Sequence, residues 1–224
     1  MSAAARRRGQ GSTAQRGFTL PELLVAMASV GLVLTGLVSF LVAGQRSFLV
    51  GANQVESQQN VRIAIARMID EIRFSGNAPG AAAGNCAPRS AIGPGQTVTS
   101  LTLQNDWNGN GCIDPGAVVM VNGVPRGEQV SYSFAGGQLL RQESAVNNAA
   151  QPVVGGIESL AFTYLDAQGD QTGTAASICS VVVTIETHPE GRQPATYQQG
   201  KVFVKMTDTA RIRNPGCEPP TSGA

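Results

Sequence analysis

The sequence predicts an α+β protein in which one long N-terminal helix precedes an antiparallel β-domain. Three observations carry this prediction. An uncharged apolar run extends from Leu23 to Gly44. Residues 45–74 continue without a proline and repeat apolar side chains at helical spacing. From Thr97 onward, short segments alternate apolar and polar side chains, which is the period of a half-buried strand. A helix followed by a run of strands is typical of the α+β class.

The composition limits the classes of function. The chain of 224 residues has a formal net charge of +1, which gives no electrostatic reason to expect a nucleic-acid partner. Only 14% of the residues are charged, while glycine (27) and proline (12) are frequent, as suits an exported domain rich in loops. One histidine and four cysteines without a CxxC pair disfavour a zinc site.

The four cysteines all follow the apolar run, and they indicate disulfides formed in an oxidising compartment. Sequence alone allows three connectivities. Proximity along the chain favours a bond between Cys86 and Cys112 and another between Cys179 and Cys217.

The N-terminal junction carries the most specific signal. Residues 1–17 are hydrophilic and hold four of the 16 basic residues, so the N-terminus is expected to stay cytoplasmic. The run from Leu23 to Gly44 is long enough to cross a bilayer, which needs about 20 apolar residues. Glu22 lies at the edge of this run, where an unpaired carboxylate costs about 2–4 kcal/mol. An acid at this position therefore indicates a partner group that neutralises it.

The segment Gly17–Glu22, with the sequence Gly-Phe-Thr-Leu-Pro-Glu, resembles the cleavage and methylation signal of type IV prepilins and type II secretion pseudopilins. This resemblance implies that prepilin peptidase cuts between Gly17 and Phe18 and methylates the new amine of Phe18. It implies that Glu22 is an assembly determinant, neutralised by the Phe18 amine of a neighbouring subunit. The alternative is an ordinary, uncleaved signal anchor.

The resemblance also implies a pilin fold and divides the chain into four parts. These are a cleaved cytoplasmic leader (1–17), a transmembrane and filament-core helix (18–44), its amphipathic continuation (45–74) and a β-rich head domain (75–224). The implied partners are prepilin peptidase, other pilin subunits and the inner-membrane assembly platform. The implied location is a single pass of the inner membrane with the N-terminus in the cytoplasm, followed by the pilus or cell surface after assembly.

Several strands are predicted within the head domain. The clearest alternation lies in residues 128–134, 160–164 and 181–185. Shorter strands are predicted at 97–103, 117–121 and 139–141, and the last predicted strand covers 201–213. Gly136-Gly137 predicts a hairpin. Basic side chains share one parity of the last strand, which favours a solvated sheet face over a subunit contact; they are Lys201, Lys205, Arg211 and Arg213.

One constellation resembles a metal loop. Oxygen side chains at positions 1, 3, 5 and 9, with glycine at position 6, match the first part of a calcium loop; they belong to Asp106, Asn108, Asn110 and Asp114. Position 12 is Ala117, so the bidentate acid is missing, and a tight turn explains the same residues equally simply. Calcium is the one cofactor considered. His188 has no nucleophile or acid partner in the sequence, so no enzyme is predicted.

The segments Ile157–Tyr164 and 209–214 resemble minor pilins of the PilW type and the related pseudopilin J. The leading hypothesis is therefore a structural minor pilin that enters or primes a type IV pilus and supports its biogenesis, adhesion, motility or DNA uptake. A type II secretion pseudopilin of the J type is the first alternative. A signal-anchored periplasmic binding module is the second.

Overall fold

The computed structural model describes residues 17–76, 90–147, 149–190, 203–213 and 217. The chain forms two compact units, Met1–Leu49 and Val50–Ala224. Helix α1 (Leu20–Phe74) contributes to both units. The described strands that follow it pair in antiparallel sheets, so the predicted α+β fold, one long N-terminal apolar helix plus antiparallel sheets, is confirmed.

Helix α1 begins at Leu20, two residues later than the predicted start at Phe18. The physical reason is Pro21, which has no N–H to donate to the carbonyl of residue 17. Proline is favourable inside the first turn, because its fixed φ suits the helix. The hydrogen bond from Leu23 N to Thr19 O, 3.1 Å long, closes that first turn.

In the first unit, every described side chain from residue 17 to residue 49 is exposed. Two hydroxyls in this apolar segment bond to the carbonyl one turn earlier: Ser29 to Val25 and Thr35 to Gly31, both at 2.8 Å. These bonds satisfy polar groups that would otherwise face an apolar environment. By length and composition, α1 is able to cross a membrane.

In the second unit, α1 buries one face. Its buried side chains recur three and four residues apart, which places them on a single stripe. They are Asn53, Ser57, Val61, Ala64, Ile65, Met68, Ile69 and Ile72. The sequence had predicted the apolar part of this stripe; the two polar members extend it by two turns. Thr187 donates its hydroxyl to the Ser57 carbonyl at 3.0 Å and so attaches the end of a strand to this stripe.

The first sheet has the strand order β1-β4-β5-β6. Its strands are β1 (Ser100–Gln104), β4 (Gln129–Ala135), β5 (Gln138–Glu143) and β6 (Gln151–Val154). Gly136 and Gly137 have positive φ values of 58° and 72° and form the turn between β4 and β5, as predicted. Strand β6 was not predicted. Pro152 disfavours a central strand, and the structure places it in a strand at the sheet edge, where proline is tolerated.

Strands β2 (Val118–Val121) and β3 (Val124–Gly127) form a separate hairpin. The sequence analysis predicted only the first of them. The turn is Asn122-Gly123, with φ values of 51° and 78°, which is the pattern of a type I′ turn. Asn-Gly flanked by valines was therefore an available signal for the missed strand.

The third sheet contains β7 (Ile157–Leu165), β8 (Ser180–Thr187) and β9 (Val204–Arg211), in that order. A short 3₁₀ turn, η1 (Ala175–Ser177), precedes β8. Strand β9 is shorter than the predicted 201–213, and Lys201 lies outside the described residues.

One hydrophobic cluster joins α1 to strands of the first and third sheets. The sheets contribute alternate residues to it, including Leu101, Tyr132, Phe162, Val183 and Ile185. This shared core makes residues 50–74 of α1 an integral part of the head domain, because removing that segment would expose the inner faces of both sheets.

Candidate functional site

The N-terminal junction is accessible in the structure. Gly17, Phe18 and Thr19 precede the helix and are exposed, and the Phe18 side chain is 81% exposed. Among the described residues other than its chain neighbours, none has an atom within 4 Å of the position that a Cβ on Gly17 would take. A peptide bond in such a segment can enter a protease cleft without unwinding helix, because no helical hydrogen bond precedes that of Leu23 to Thr19 among the described contacts.

Glu22 lies in the first turn of α1 and is exposed. The partial positive charge at a helix N-terminus favours a carboxylate there. The neighbouring exposed side chains are apolar, among them Leu20, Leu23 and Leu24. The described side chains of the first unit therefore offer Glu22 an apolar setting, in which an ionised acid is stable only with solvent or an external cation.

One comparison with known families matches this part of the chain. The family model described as the prokaryotic N-terminal methylation motif matches residues 12–40. The N-terminal segment of this chain is therefore type IV pilin-like. The match supports a structural role as a type IV pilin or pseudopilin and implies processing by prepilin peptidase and assembly with other pilins. The motif and the apolar helix are compatible with a membrane-anchored pilin. No curated protein matches the chain significantly.

The head contains the candidate calcium loop, in which hydrogen bonds connect three of the four candidate residues with one another, while Asp106 binds the backbone of Gly111. Asp106 is 1% exposed, and its Oδ2 accepts the Gly111 N–H at 2.9 Å. Asn108 Oδ1 accepts the Asn110 N–H at 2.8 Å. Asn110 Nδ2 donates to Asp114 Oδ2 at 2.7 Å. Among the described residues, no group of three or more acidic, histidine or cysteine side chains is placed to hold a metal ion.

Glu128 also belongs to this loop, although the sequence analysis gave it no role. It is fully buried, and its two carboxylate oxygens accept the N–H groups of Asn108 at 3.4 Å and Asp114 at 2.6 Å. A buried carboxylate needs such donors, so Glu128 holds the two ends of the loop. A charged residue directly before an alternating strand was the only hint in the sequence.

A second polar cluster connects α1 to the first sheet. Glu71 accepts hydrogen bonds from the Tyr132 hydroxyl at 2.9 Å and from Arg141 Nε at 3.1 Å, and it pairs with Arg67 Nε at 3.0 Å. Arg141 Nη2 also donates to Glu143 Oε2 at 2.8 Å. These contacts cross from the helix to β4 and β5. They were not predicted, because residues 61 and 70 positions apart meet only after folding.

The electrostatics of this cluster follow from burial. Burial raises the pKa of Tyr132, and the Glu71 charge raises it further. Burial alone would lower the pKa of Arg141, but the carboxylates of Glu71 and Glu143 outweigh that effect and raise it. Arg141 is therefore a permanent cation between two acids, which is a structural arrangement and carries no proton-transfer chemistry.

The disulfide between Cys179 and Cys217 is present, with a Cα–Cα distance of 5.2 Å, and it is the pairing expected from proximity in the chain. Cys112 is also disulfide-bonded. Cys86, its expected partner, lies outside the described residues. The bond at Cys217 is reinforced by Arg211, whose Nη2 donates to the Cys217 carbonyl.

Those basic side chains of the last predicted strand that the structure describes, Lys205, Arg211 and Arg213, have partners within the chain. Lys205 pairs with Glu186 at 2.9 Å. Arg213 lies over the Phe74 ring, 5.9 Å from its centroid, and Arg211 binds the Cys217 carbonyl. These contacts favour the solvated-face interpretation, because a basic docking surface would need its charges available.

Proposed function

We propose that the chain is a minor pilin of the PilW type, cleaved after Gly17 and built into or priming a type IV pilus. The observation that carries this proposal is the junction, where an exposed non-helical Gly17-Phe18 bond precedes an apolar helix with Glu22 in its first turn. The exposed apolar side chains of residues 20–49 would then be covered first by lipid and later by helices of other subunits.

The proposed role of Glu22 follows from its desolvation. In a filament core, a carboxylate among apolar helices needs a cation within hydrogen-bonding distance. Cleavage creates an amine at Phe18, and methylation leaves that amine protonated. The amine of an incoming subunit can therefore neutralise Glu22 of the subunit before it. Such a pair would fix the axial position of each subunit's helix relative to its neighbour.

Mass spectrometry of the mature N-terminus tests the processing step. In cells with prepilin peptidase, we expect the chain to begin at N-methylated Phe18. In cells without the peptidase, residues 1–17 should be retained. An intact leader in the presence of the peptidase would contradict the proposal and favour the signal-anchored binding module.

Replacement of Glu22 by alanine tests the assembly step. We expect cleavage to continue, since Gly17 and Phe18 are unchanged, while incorporation into sheared surface fibres is lost. Asp70→Ala is the matched control, because it removes a carboxylate from an exposed position of the same helix beyond the apolar run. Normal incorporation of the Glu22 variant would refute the pairing mechanism.

A J-type pseudopilin of type II secretion is the alternative form of the same proposal. Deletion of the gene distinguishes the two. Loss of surface pili with normal secretion supports the PilW assignment, whereas loss of secretion with normal pili supports the pseudopilin. The subunit should also be recovered with sheared fibres in the first case.

Calcium binding at the Asp106–Asp114 loop is a separate proposal. It is supported by the sharp turn at position 6, where Gly111 has φ 86° and donates to the carboxylate of Asp106 at position 1. Titration calorimetry of the full chain in detergent tests it, with Asp106→Asn as the comparison. Absence of heat at millimolar calcium would refute this proposal and leave the turn as the full explanation.

A further inference from the structure

The β2–β3 hairpin has two outer edges, and its register determines which backbone groups lie on them. The residues that flank its two-residue turn exchange both backbone hydrogen bonds, and from there hydrogen-bonded pairs alternate with non-hydrogen-bonded pairs along the ladder. The non-hydrogen-bonded pairs are Met120 with Pro125 and Val118 with Gly127. The backbone polar groups of these four residues therefore point away from the partner strand, toward the two outer edges of the hairpin.

The outer edge of β3 is closed to a further strand. Pro125 has no N–H to donate. The N–H of Gly127 already donates to Glu143 Oε1 at 3.0 Å. An added strand would therefore find no free donor at either outward position of β3. Proline on an edge strand is a common means of preventing such pairing.

The outer edge of β2 is open. Within the described contacts, the outward N–H and C=O groups of Val118 and Met120 have no hydrogen-bond partner. Their side chains are 49% and 64% exposed, and β2 contains no charged residue. A strand edge with free donors and acceptors and apolar side chains is a template for another strand.

We propose that β2 pairs in antiparallel orientation with β2 of a second copy of this chain. Such an edge is complementary to itself about a two-fold axis. Because β2 is uncharged, self-pairing brings no like charges opposite each other. Because the β3 edge is closed, each copy has one usable edge of this hairpin, so pairing ends at two copies and does not continue into a fibre.

The free groups also define the register of this pairing. Val118 of each copy lies opposite Met120 of the other, because this register uses the outward groups of both residues in both copies. Each such pair exchanges two backbone hydrogen bonds. Val119 then lies opposite Val119 of the second copy at a non-hydrogen-bonded position, where Cα atoms are about 4.5 Å apart.

The size of the hairpin indicates where this pairing occurs. The hairpin spans residues 118–127, far fewer than the roughly 20–30 residues per side of a stable interface. Pairing of freely diffusing chains is therefore weak, whereas confinement to one bilayer raises the effective concentration of the copies. In this respect the inference rests on the membrane anchoring of α1 in the proposed function. Flotation of the chain with liposomes checks that anchoring separately from the pairing.

Cross-linking of the full chain in liposomes tests the register. Among the described residues no cysteine is free, so Val119→Cys adds a thiol that is available for a bond between copies. The proposed Cα distance suits a disulfide, so mild oxidation should give a covalent dimer. Val121→Cys is the matched control on the same strand and face, because its Cα atoms in the two copies would be more than about 12 Å apart. We expect on the order of tenfold more dimer from Val119→Cys.

Two further changes in the Val119→Cys chain test the backbone pairing. Met120→Pro removes an outward N–H from β2, as Pro125 does on β3, and leaves the hydrogen bonds within the hairpin. Met120→Lys adds a charge at the same edge, which disfavours strand addition. Each should lower the dimer yield several-fold, with folding checked by Trp107 fluorescence. The proposal is wrong if Val119→Cys gives no more dimer than Val121→Cys, or if the Met120 variants that fold leave the yield unchanged.

Discussion

Replacing Glu71 by glutamine tests how strongly the cluster around Arg141 attaches α1 to the first sheet. Glu71 receives three donors, and its side chain is 19% exposed, while that of Arg141 is 11% exposed. Removal of one partner from a buried ion pair typically costs about 3–5 kcal/mol. Glutamine keeps one oxygen acceptor, and Arg141 retains Glu143 at 2.8 Å, so we expect a smaller loss of about 2 kcal/mol in the free energy of unfolding.

Thermal unfolding of the full chain in detergent measures this loss. For a chain of this size, about 1 kcal/mol corresponds to a change of roughly 2–4 °C in Tm, so the expected decrease is roughly 4–8 °C. Trp107, the single tryptophan, provides a fluorescence signal within the head. Asp70→Asn is the matched control, because it removes the same charge from the adjacent, exposed helix position and should change stability by less than about 0.5 kcal/mol.

A double-mutant cycle that combines Glu71→Gln with Tyr132→Phe tests whether these two side chains interact energetically. The Tyr132 hydroxyl donates to Glu71, so the two substitutions should be non-additive, with a coupling of about 0.5–1.5 kcal/mol. If Glu71→Gln lowers Tm no more than Asp70→Asn does, the cluster does not stabilise the attachment of the helix. Additive effects in the cycle would show that the Tyr132 contact is energetically unimportant.

Three further predictions concern the head domain. Burial raises the pKa of Tyr164 above its ordinary value of 10.0, so the contribution of Tyr164 to stability is full below about pH 10 and declines as the pH rises further. Tyr164→Phe should therefore reduce the loss of stability that thermal unfolding at alkaline pH measures. Replacing both Cys179 and Cys217 by serine removes the disulfide that closes a loop with a sequence separation of 38. In urea unfolding, it should lower the free energy of unfolding by about 4 kcal/mol relative to the parent chain. Gly127→Ala places a Cβ on a backbone carbonyl oxygen and should cost about 1–3 kcal/mol in the same assay, whereas Gly116→Ala, with open space around it, should be tolerated.

The sequence predicted best those elements whose signals are local. The apolar stripe of α1, the alternation in β7 and β8, and the Gly136-Gly137 turn each depend on residues close in the chain, and the structure contains all of them. The β2–β3 turn at Asn122 was equally local and was missed. Strand β6 was harder to predict, because Pro152 is compatible with a strand only at the sheet edge, and edges are a property of the folded sheet.

The polar contacts of the head could not be predicted in the same way. In the sequence, Glu128 is an ordinary charged residue at the start of a predicted strand, and Glu71 is one on a helix face. Their roles depend on donors brought from other elements, such as the Asp114 N–H for Glu128 and the Tyr132 hydroxyl for Glu71. A side chain's hydrogen-bond partners are set by tertiary packing, for which periodicity carries no information.

The apolar side chains on one face of α1 are buried within the chain in the second unit, whereas those of the first unit are exposed. This difference explains why only one part of the chain carries a recognisable functional motif. From Val50 to Phe74, apolar residues occupy one helix face and are buried by sheets of the same chain. From Leu20 to Leu49, they occupy all faces and are exposed. A helix that is apolar on every side must be covered by lipid or by other helices. The features that mark this segment are therefore contiguous in the sequence, where the match to the N-terminal methylation motif spans residues 12–40. The head buries its apolar residues internally, through contacts scattered along the chain, so the junction carries a recognisable pilin-like motif while the contacts of the head leave no comparable local pattern in the sequence.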